Sequence, residues 1–405
     1  MDAGYSRHWS LSMGTKLALA AILLLSNANP ALAQLRPGNL AGQIPVQRLP
    51  VDRLPEAIKE KLVRVDQMAA AEVAQLNVPG YALAVIINGE VVLQKYYGFA
   101  DLQNRRPVDG DTVFGLASLT KTFTAISLLS LVDKGLINLD DPLSKYLSDL
   151  TPPYQSLTIR QLASMTAGVP SELSREVLWK EQLPILVNTP LTSQPGSEFH
   201  YSNFSYRLLG SVIEKVTRRD YLDVVKETIL DPLGMSSTAT TFLLCDTGRV
   251  AQGYGDNQGA GPLRAFDYKN PAVSFSAGML ASTQNDLIKY ALGMLQQKML
   301  SPPQYLTLWN LRPPLSNGQP DPWAFGWSST KTPEGQHKLA MNGGTPGVAS
   351  TIILLPQSNC AVIALSNLRK PPVYKIAKQA FSIVFHDPYG DPEAPPGNAP
   401  EAGAD

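Results

Sequence analysis

The sequence predicts an α/β (α+β) protein in which an antiparallel sheet is flanked by N- and C-terminal helices and interrupted by a large helical region. Runs with the composition of strands lie near both ends of the chain, at 81–96 and 338–366. Between them we predict an insertion of about 118–275, mainly helical in pattern as far as Thr241. Strands from the two ends of the chain are therefore expected to pair with one another.

The chain begins with the features of a secretory signal peptide, which we place at 1–33. Arg7 and Lys16 precede an apolar run at 17–25, and Ala31-Leu32-Ala33 fits a small-residue cleavage site. The apolar run is too short to span a bilayer as a stable anchor. We therefore expect export across a bacterial inner membrane, into the periplasm or medium, with no stable membrane anchor after cleavage.

Three further stretches complete the predicted organisation. Proline and glycine interrupt 34–55, which we interpret as a linker, and the main domain is expected over 56–386. The end of the chain, 387–405, is rich in proline, alanine, glycine and acidic residues and is predicted to be disordered. The pattern leaves both Met1 and Met13 open as translation starts, and the export prediction holds for either.

The strands and helices of the main domain follow in chain order. A helix is predicted over Glu56–Leu76, followed by two strands that Asn88-Gly89 joins, a dipeptide that favours a tight hairpin turn. The predicted strands cover Tyr81–Ile87, Val91–Tyr96, Lys338–Met341, Val348–Leu355 and Ala361–Ser366. A last helix is predicted over Val373–Phe385.

Ser118-Leu119-Thr120-Lys121 opens the inserted region at the predicted start of an apolar helix that ends at Gly135. Residues three apart share one face of a helix, so the Lys121 amine can lie beside the Ser118 hydroxyl. Serine needs such a base to become a nucleophile. A second serine–lysine pair, Ser328 to Lys331, runs into a turn-rich stretch that cannot start a helix, so we do not expect it to be catalytic.

Further motifs follow Ser118 in order along the chain. They are Gly135-Leu136-Ile137-Asn138-Leu139-Asp140-Asp141-Pro142, Met165-Thr166-Ala167-Gly168, Tyr201-Ser202-Asn203, Pro232-Leu233-Gly234-Met235 and Asn342-Gly343-Gly344-Thr345-Pro346-Gly347. With Ser118 to Lys121 they resemble the serine β-lactamase and penicillin-binding-protein superfamily, and within it the class C-like branch. That branch comprises class C β-lactamases, D-alanyl-D-alanine carboxypeptidases and related esterases. The resemblance runs from about Pro79 to His386, and it implies a β-lactamase/transpeptidase-like fold.

The resemblance also implies the roles of the site residues, with no cofactor. Ser118 would be the nucleophile, and Tyr201, its pKa lowered by a cationic Lys121, would accept the serine proton. Backbone N–H groups of Ser118 and Gly344 would hold the oxyanion. The resemblance also gives substrate-binding or oxyanion roles to Asn203, Asn342 and Gly343.

Two positions depart from the family pattern. Met341 stands where relatives usually carry lysine or histidine, a cation that helps to bind a substrate carboxylate. A charge-assisted hydrogen bond of this kind contributes about 1.5–3 kcal/mol, so we expect weaker binding of carboxylate-bearing substrates. His337, four residues upstream, should lie at the far end of the strand. Met165 replaces a common histidine at a position that we interpret as structural.

The composition excludes some classes of function. Among 405 residues, Lys+Arg and Asp+Glu are 34 each, so no global charge attracts nucleic acid. The histidines show no metal-ligand spacing, and no metal site is predicted. Cys245 and Cys360 could form a disulfide in an exported protein or remain as thiols, and the sequence leaves this open.

Three functions remain open from the sequence. The first is an exported serine hydrolase that forms an acyl-enzyme on Ser118 and acts on a D-Ala-type peptide or a β-lactam. The second is an esterase or amidase of the same family, favoured by Met341 because its substrates need no carboxylate. The third is a catalytically silent protein that binds cell-wall ligands, which the Ser118, Lys121 and Tyr201 set disfavours. The expected partner is a small-molecule or peptidoglycan-derived substrate, and the sequence does not predict the oligomeric state.

Overall fold

The computed structural model describes residues 44–172, 177–255, 262–266, 273–310, 315–316, 318, 322–369 and 371–385. The leader predicted at 1–33 and the tail predicted at 387–405 lie outside the described residues. The linker predicted at 34–55 is described only from Ile44 onward.

An antiparallel sheet of eight strands joins the two ends of the chain, and the predicted fold class is confirmed. The strands of the protein are, in chain order, β1 Gly80–Ile87, β2 Glu90–Asp101, β3 Arg106–Pro107, β4 Val113–Gly115, β5 Ala239–Thr240, β6 Gly253–Gly255, β7 Arg264–Phe266, β8 Leu280–Thr283, β9 Trp323–Ala324, β10 Trp327–Lys331, β11 His337–Thr345, β12 Val348–Leu355 and β13 Cys360–Ser366. The large sheet has the order β3-β2-β1-β13-β12-β11-β10-β9. Strand β1, which precedes the inserted region, pairs with β13, which follows it, and this pairing joins the two parts of the sheet.

The helices lie around this sheet. In chain order the α-helices are α1 Glu56–Gln75, α2 Thr120–Asp133, α3 Pro152–Gln155, α4 Ile159–Ala163, α5 Trp179–Leu186, α6 Asn203–Thr217, α7 Tyr221–Val225, α8 Asp231–Leu233, α9 Thr241–Leu244, α10 Gln284–Leu295, α11 Pro302–Asn310 and α12 Pro371–Phe385. Short 3-10 segments include Ala117–Leu119 and Phe275–Ala277, and Lys226–Leu230 is a π-helical turn. Helices continue in α10 and α11, so the helical part reaches further along the chain than residue 275.

The first hairpin forms as its turn residues predict. Asn88 and Gly89 have φ values of 53° and 79°, and two consecutive positive φ values give the tight turn that matches strand twist. The helix that begins after Ser118 also ends as predicted, because Gly135 follows it with a φ of 68°.

Both faces of the large sheet are covered. Helices α1 and α12 pack on one face, where Val65 and Ile376 are fully buried, and the Lys61 amine donates to the Val384 carbonyl at 3.0 Å. Apolar side chains on the other face join the core of the helical region, among them Ala84 and Ile363. Among the described residues, no helix is both long and apolar enough to cross a membrane.

A second sheet connects the segments on either side of the helical insertion. It has the order β4-β8-β5 and places the segment before Ser118 beside the segment after Ala277. The Leu116 N–H donates to the Leu280 carbonyl at 2.8 Å, and the Leu280 N–H donates to Thr120 Oγ1 at 3.2 Å. The turn that carries Ser118 is therefore held at both its ends.

The structure also resolves the state of the two cysteines. Cys245 is an exposed thiol and Cys360 a buried thiol in β13, and the two are not joined by a disulfide.

Candidate active site

Ser118 lies on a 3-10 turn, two residues before the start of helix α2 at Thr120. Its neighbours Ala117 and Leu119 are buried, whereas Ser118 itself is partly exposed. Ala117 has a φ of 45°, a left-handed conformation that non-glycine residues adopt at an energetic cost. The Ser350 hydroxyl donates to the Leu116 carbonyl at 2.7 Å and so holds the turn against β12. The packing of the turn thus leaves Ser118 partly exposed between two buried neighbours.

Lys121 is fully buried directly beside Ser118. Its Nζ lies 3.0 Å from Ser118 Oγ, as the three-residue spacing predicts. The same amine donates to Asn203 Oδ1 at 2.7 Å and to the Ala277 carbonyl at 2.9 Å. Three oxygen atoms, from Ser118, Asn203 and Ala277, therefore lie within hydrogen-bonding distance of the Lys121 amine.

Tyr201 contacts Ser118 from the segment that precedes helix α6. Its hydroxyl lies 2.9 Å from Ser118 Oγ, and its ring meets Trp323 edge-on at 5.5 Å between centroids. The preceding loop is held by a hydrogen bond from the His200 N–H to the Met165 carbonyl at 2.8 Å. Met165 is buried, in agreement with a structural role, and its backbone supports the loop that carries Tyr201.

The pKa directions at this site differ from the sequence-based expectation. Burial lowers the pKa of Lys121 well below its ordinary value; the positive charge of Arg207 acts in the same direction and Glu172 opposes it. Burial raises the pKa of Tyr201, and the hydrogen bond with Ser118 only partly offsets this. The pKa of Tyr201 thus shifts in the direction opposite to the expected lowering, because burial desolvates the phenol.

Asn203 connects Lys121 to an ion pair between a buried arginine and a partly exposed glutamate, which the sequence analysis did not identify. The amide Nδ2 of Asn203 donates to Glu172 Oε2 at 3.3 Å, and Arg207 Nη2 donates to Glu172 Oε1 at 2.9 Å. The available signal was an arginine one helical turn after Asn203, as the only charged residue between Phe204 and Leu209.

The motif on β11 lies against the turn of Ser118 at Gly343. A Cβ added at Gly343 would lie 2.0 Å from the Leu116 carbonyl oxygen and 2.9 Å from the Leu119 nitrogen. Only glycine permits this approach. Strand β10 pairs with β11 over His337–Ala340. The rest of β11, which includes Gly343 and Gly344, lies beyond this paired stretch.

Asn342 is not brought into the group around Ser118. Its side-chain oxygen accepts a hydrogen bond from Thr351 Oγ1 on β12 at 3.0 Å. Along β11, Asn342 alternates with the buried residues Met341 and Gly343, and its side chain therefore points to the opposite face of the strand. The structure thus gives Asn342 a contact within the sheet rather than one with Lys121 or Tyr201.

Met341, at the position where relatives carry a cation, is a core residue. Its side chain is buried in the same apolar cluster as Leu339. A cation does lie next to the end of β11, because a Cβ added at Gly344 would lie 3.2 Å from Arg369 Nε and 2.2 Å from the Tyr374 hydroxyl. That hydroxyl donates to the Gly343 carbonyl at 3.0 Å, and Arg369 hydrogen-bonds to Tyr374.

Two other candidates lie elsewhere. Ser328 and Lys331 are on strand β10, not on a helix, and His337 begins β11 at the end distant from Gly344. Within the parts of the chain that the structure describes, no group of three or more histidine, cysteine or acidic side chains could hold a metal ion.

Comparison with known proteins gives the family. The β-lactamase family model matches residues 65–382. Protein flp of Staphylococcus aureus (strain MW2) is 28% identical over 345 residues, which cover 80% of this chain and 67% of that protein. Penicillin-binding protein 4* of Bacillus subtilis (strain 168) is 28% identical over 331 residues, covering 76% of this chain and 72% of that protein.

A solved structure supports the same fold. D-amino acid amidase from Ochrobactrum anthropi SV3 superposes with a TM-score of 0.70 at 23% identity, over 80% of this chain and 98% of that one. The family match spans most of the chain and includes Ser118, Lys121, Tyr201 and Gly344. The chain therefore belongs to the β-lactamase family, within the superfamily of serine β-lactamases and penicillin-binding proteins.

Proposed function

We propose that this protein is an exported serine hydrolase that forms an acyl-enzyme on Ser118, with D-Ala-type peptides or β-lactams as its substrates. The observation that carries the proposal is the position of the Ser118 hydroxyl, 3.0 Å from the Lys121 amine and 2.9 Å from the Tyr201 hydroxyl. A partly exposed serine between an amine and a phenol has the parts that nucleophilic catalysis requires.

Lys121 is the better proton acceptor of the two neighbours. Asn203 Oδ1 and the Ala277 carbonyl can only accept, so they occupy two N–H groups of the Lys121 amine. In the neutral amine that burial favours, the lone pair then faces Ser118. Tyr201, whose pKa is raised, stays protonated and donates to Ser118 Oγ. This assignment replaces the sequence-based expectation of Tyr201 as the base.

The reaction follows from this arrangement. The Ser118 proton passes to Lys121 as Oγ attacks the carbonyl carbon, and the carbonyl electrons move to its oxygen. The proton then goes to the leaving group, directly or through the Tyr201 hydroxyl, as the scissile bond breaks. Water gives a proton to the same amine as its oxygen attacks the acyl-enzyme carbonyl. The bond to Ser118 Oγ then breaks, the amine returns the proton to Oγ, and the acid and the free Ser118 hydroxyl are released. Backbone N–H groups of Ser118 and Gly344 would hold the oxyanion, and each such donor contributes about 2.7–4 kcal/mol to transition-state stabilisation.

Arg369 supports substrates that carry a carboxylate. The buried Met341 side chain cannot supply a cation, but Arg369 lies beside Gly344 at the end of the same strand. Guanidinium groups bind carboxylates through paired N–H donors. The carboxylate of a D-Ala-type peptide or a β-lactam can therefore be bound from this side.

The esterase or amidase alternative rests on Met341. If Arg369 does not reach the substrate, an acyl donor without a carboxylate is favoured. The silent binding protein is disfavoured by the complete burial of Lys121, because burying an amine is costly and gives a binding protein no advantage.

The test is intact mass after incubation with a penicillin, together with turnover of a short-chain p-nitrophenyl ester. Ser118→Ala is the control for both. A penicillin adduct that depends on Ser118 supports the proposal, whereas ester turnover without an adduct supports the esterase. A wild-type protein that forms no penicillin adduct and does not hydrolyse the ester would support the binding-protein alternative.

The carboxylate question has its own pair of variants. Arg369→Gln should slow penicillin acylation by roughly one to two powers of ten, the value of one charge-assisted bond, and leave turnover of a neutral ester unchanged. Met341→Lys places a cation in the apolar site and should speed acylation only if that position can reach the ligand. Equal effects of Arg369→Gln on both substrates would contradict carboxylate binding by Arg369.

A further inference from the structure

We infer that the ion pair between the buried Arg207 and the partly exposed Glu172 positions the Lys121 amine through Asn203 and sets how readily that amine accepts the Ser118 proton. The inference rests on the proposed function, in which Lys121 is the base. Arg207 and Glu172 are positioning residues here, because they act through Asn203 rather than on the substrate.

The orientation of the Asn203 amide is the first step. A carboxylate can only accept hydrogen bonds, so Glu172 Oε2 selects the Nδ2 side of the amide at 3.3 Å. The Oδ1 side is then presented to Lys121, where it accepts a hydrogen bond at 2.7 Å. If the amide were flipped, two donors would face each other at Lys121.

The second step is the anchoring of Glu172 by Arg207. Arg207 follows Asn203 by one turn of α6, so the two side chains leave the same face of the helix. Arg207 Nη2 donates to Glu172 Oε1 at 2.9 Å and Nη1 donates to Gln182 Oε1 at 2.7 Å. The Arg207 side chain is 2% exposed and that of Glu172 is 22% exposed. The carboxylate is thus held between a buried guanidinium and the Asn203 amide.

The charges that face Lys121 act in opposite directions. Among the described residues, the titratable groups around its amine are the rings of Tyr201 and Tyr206, at 5.0 and 6.0 Å from Nζ, and the Arg207–Glu172 pair. Arg207 disfavours a proton on Lys121, whereas Glu172 favours one. The pair therefore fixes the geometry of the amine, while its two charges shift the pKa of Lys121 in opposite directions and the effect of Arg207 is the larger.

These opposite signs give a specific test in Glu172→Gln and Arg207→Met. If neutral Lys121 is the active form, kcat/KM falls as pH drops through the pKa of Lys121. Glu172→Gln removes a negative charge and should move this acid limb to lower pH. Arg207→Met removes a positive charge and should move it to higher pH, each by about one pH unit, the scale of one charge acting through a protein interior.

Three controls accompany the two variants. Arg219→Gln removes one positive charge from an exposed ion pair with Glu227 and should leave the limb unchanged. Arg207→Lys keeps the charge and should restore the limb toward its wild-type position. The double variant Glu172→Gln/Arg207→Met should show an intermediate limb, and it avoids the large destabilisation expected when one partner of a buried pair remains alone.

A second readout needs no substrate. In protein labelled with ¹³C at Lys Cε and assigned with Lys121→Arg, the titration of Lys121 should move in the same opposite directions. An identical limb and titration in all variants, or a shift of both single variants in one direction, would overturn the inference. Absence of Ser118-dependent acylation in the wild type would instead reject the proposed function, and the titration would still decide the role of the pair.

Discussion

Lys121 is the residue whose charge state decides activity in the proposed mechanism. Burial lowers its pKa, so the amine is neutral over a wider pH range than an exposed lysine. Lys121→Arg restores a permanent positive charge, since arginine does not lose its proton in proteins. We expect this variant to lose acylation by penicillin at every pH, as measured by intact mass. Acylation that returns at high pH would contradict Lys121 as the base.

Tyr201 is expected to matter less than Lys121 for the first proton transfer. Its phenol stays protonated and donates to Ser118 Oγ. Tyr201→Phe removes this donor and a route for the proton to the leaving group, so kcat should fall by about 10²–10⁴. The acid limb of kcat/KM should remain, because it belongs to Lys121. Its disappearance in Tyr201→Phe would return the role of base to Tyr201.

Gly343 determines the geometry of the site because it has no side chain. A methyl group at this position would overlap the Leu116 carbonyl oxygen, 2.0 Å away, and would separate β11 from the turn of Ser118. We expect Gly343→Ala to lower kcat by at least about 10²-fold, through misplacement of the oxyanion donors by as little as 1 Å. Gly335→Ala is the control, because Gly335 has a φ of 84° and an added Cβ there strains the backbone without meeting any atom within 4 Å, so it destabilises the fold away from Ser118. Equal kcat in Gly343→Ala and wild type would exclude the close approach.

At the scale of elements, helix α6 and the Phe275–Ala277 turn must approach each other closely, so that the Ala277 carbonyl can accept a hydrogen bond from Lys121. Gly210 on α6 permits this, because a Cβ added there would lie 2.0 Å from Ser276 Oγ. Ser276 precedes Ala277, whose carbonyl accepts from Lys121. Gly210→Ala should therefore displace that carbonyl, lower kcat and destabilise the fold by about 1–3 kcal/mol. Lys215→Ala, at an exposed position of the same helix, should change neither kcat nor Tm.

The elements themselves were largely predictable from local sequence. The hairpin at Asn88-Gly89 and the helix end at Gly135 depend on φ angles that glycine and asparagine adopt readily, so the residues indicate them directly. The helices α10 and α11 were not predicted. Helix α10 is buried along most of its length, and its pattern lacks the clear polar face of a surface helix.

At the scale of the whole molecule, export remains a proposal that rests on 1–33. Expressed in a bacterium with an inner membrane, the full chain should yield periplasmic protein that begins at Gln34, as N-terminal sequencing and intact mass would show. Replacement of Leu23 and Leu24 in the apolar run by arginine should leave unprocessed protein in the cytoplasm. Processing that is unaffected by this change would contradict the signal-peptide interpretation.

The sequence by itself determined the family, the two-part architecture and the identity of Ser118, Lys121 and Tyr201 as neighbours, because these follow from short-range spacing and ordered motifs. The tertiary structure decided the directions in which the pKa values of Lys121 and Tyr201 shift. Desolvation and long-range partners such as Arg207 and Glu172 shift the pKa values, and these partners lie 86 and 51 positions from Lys121. It also showed that Met341 is a core residue and that Arg369 lies beside Gly344, since burial and distance are properties of the folded chain alone.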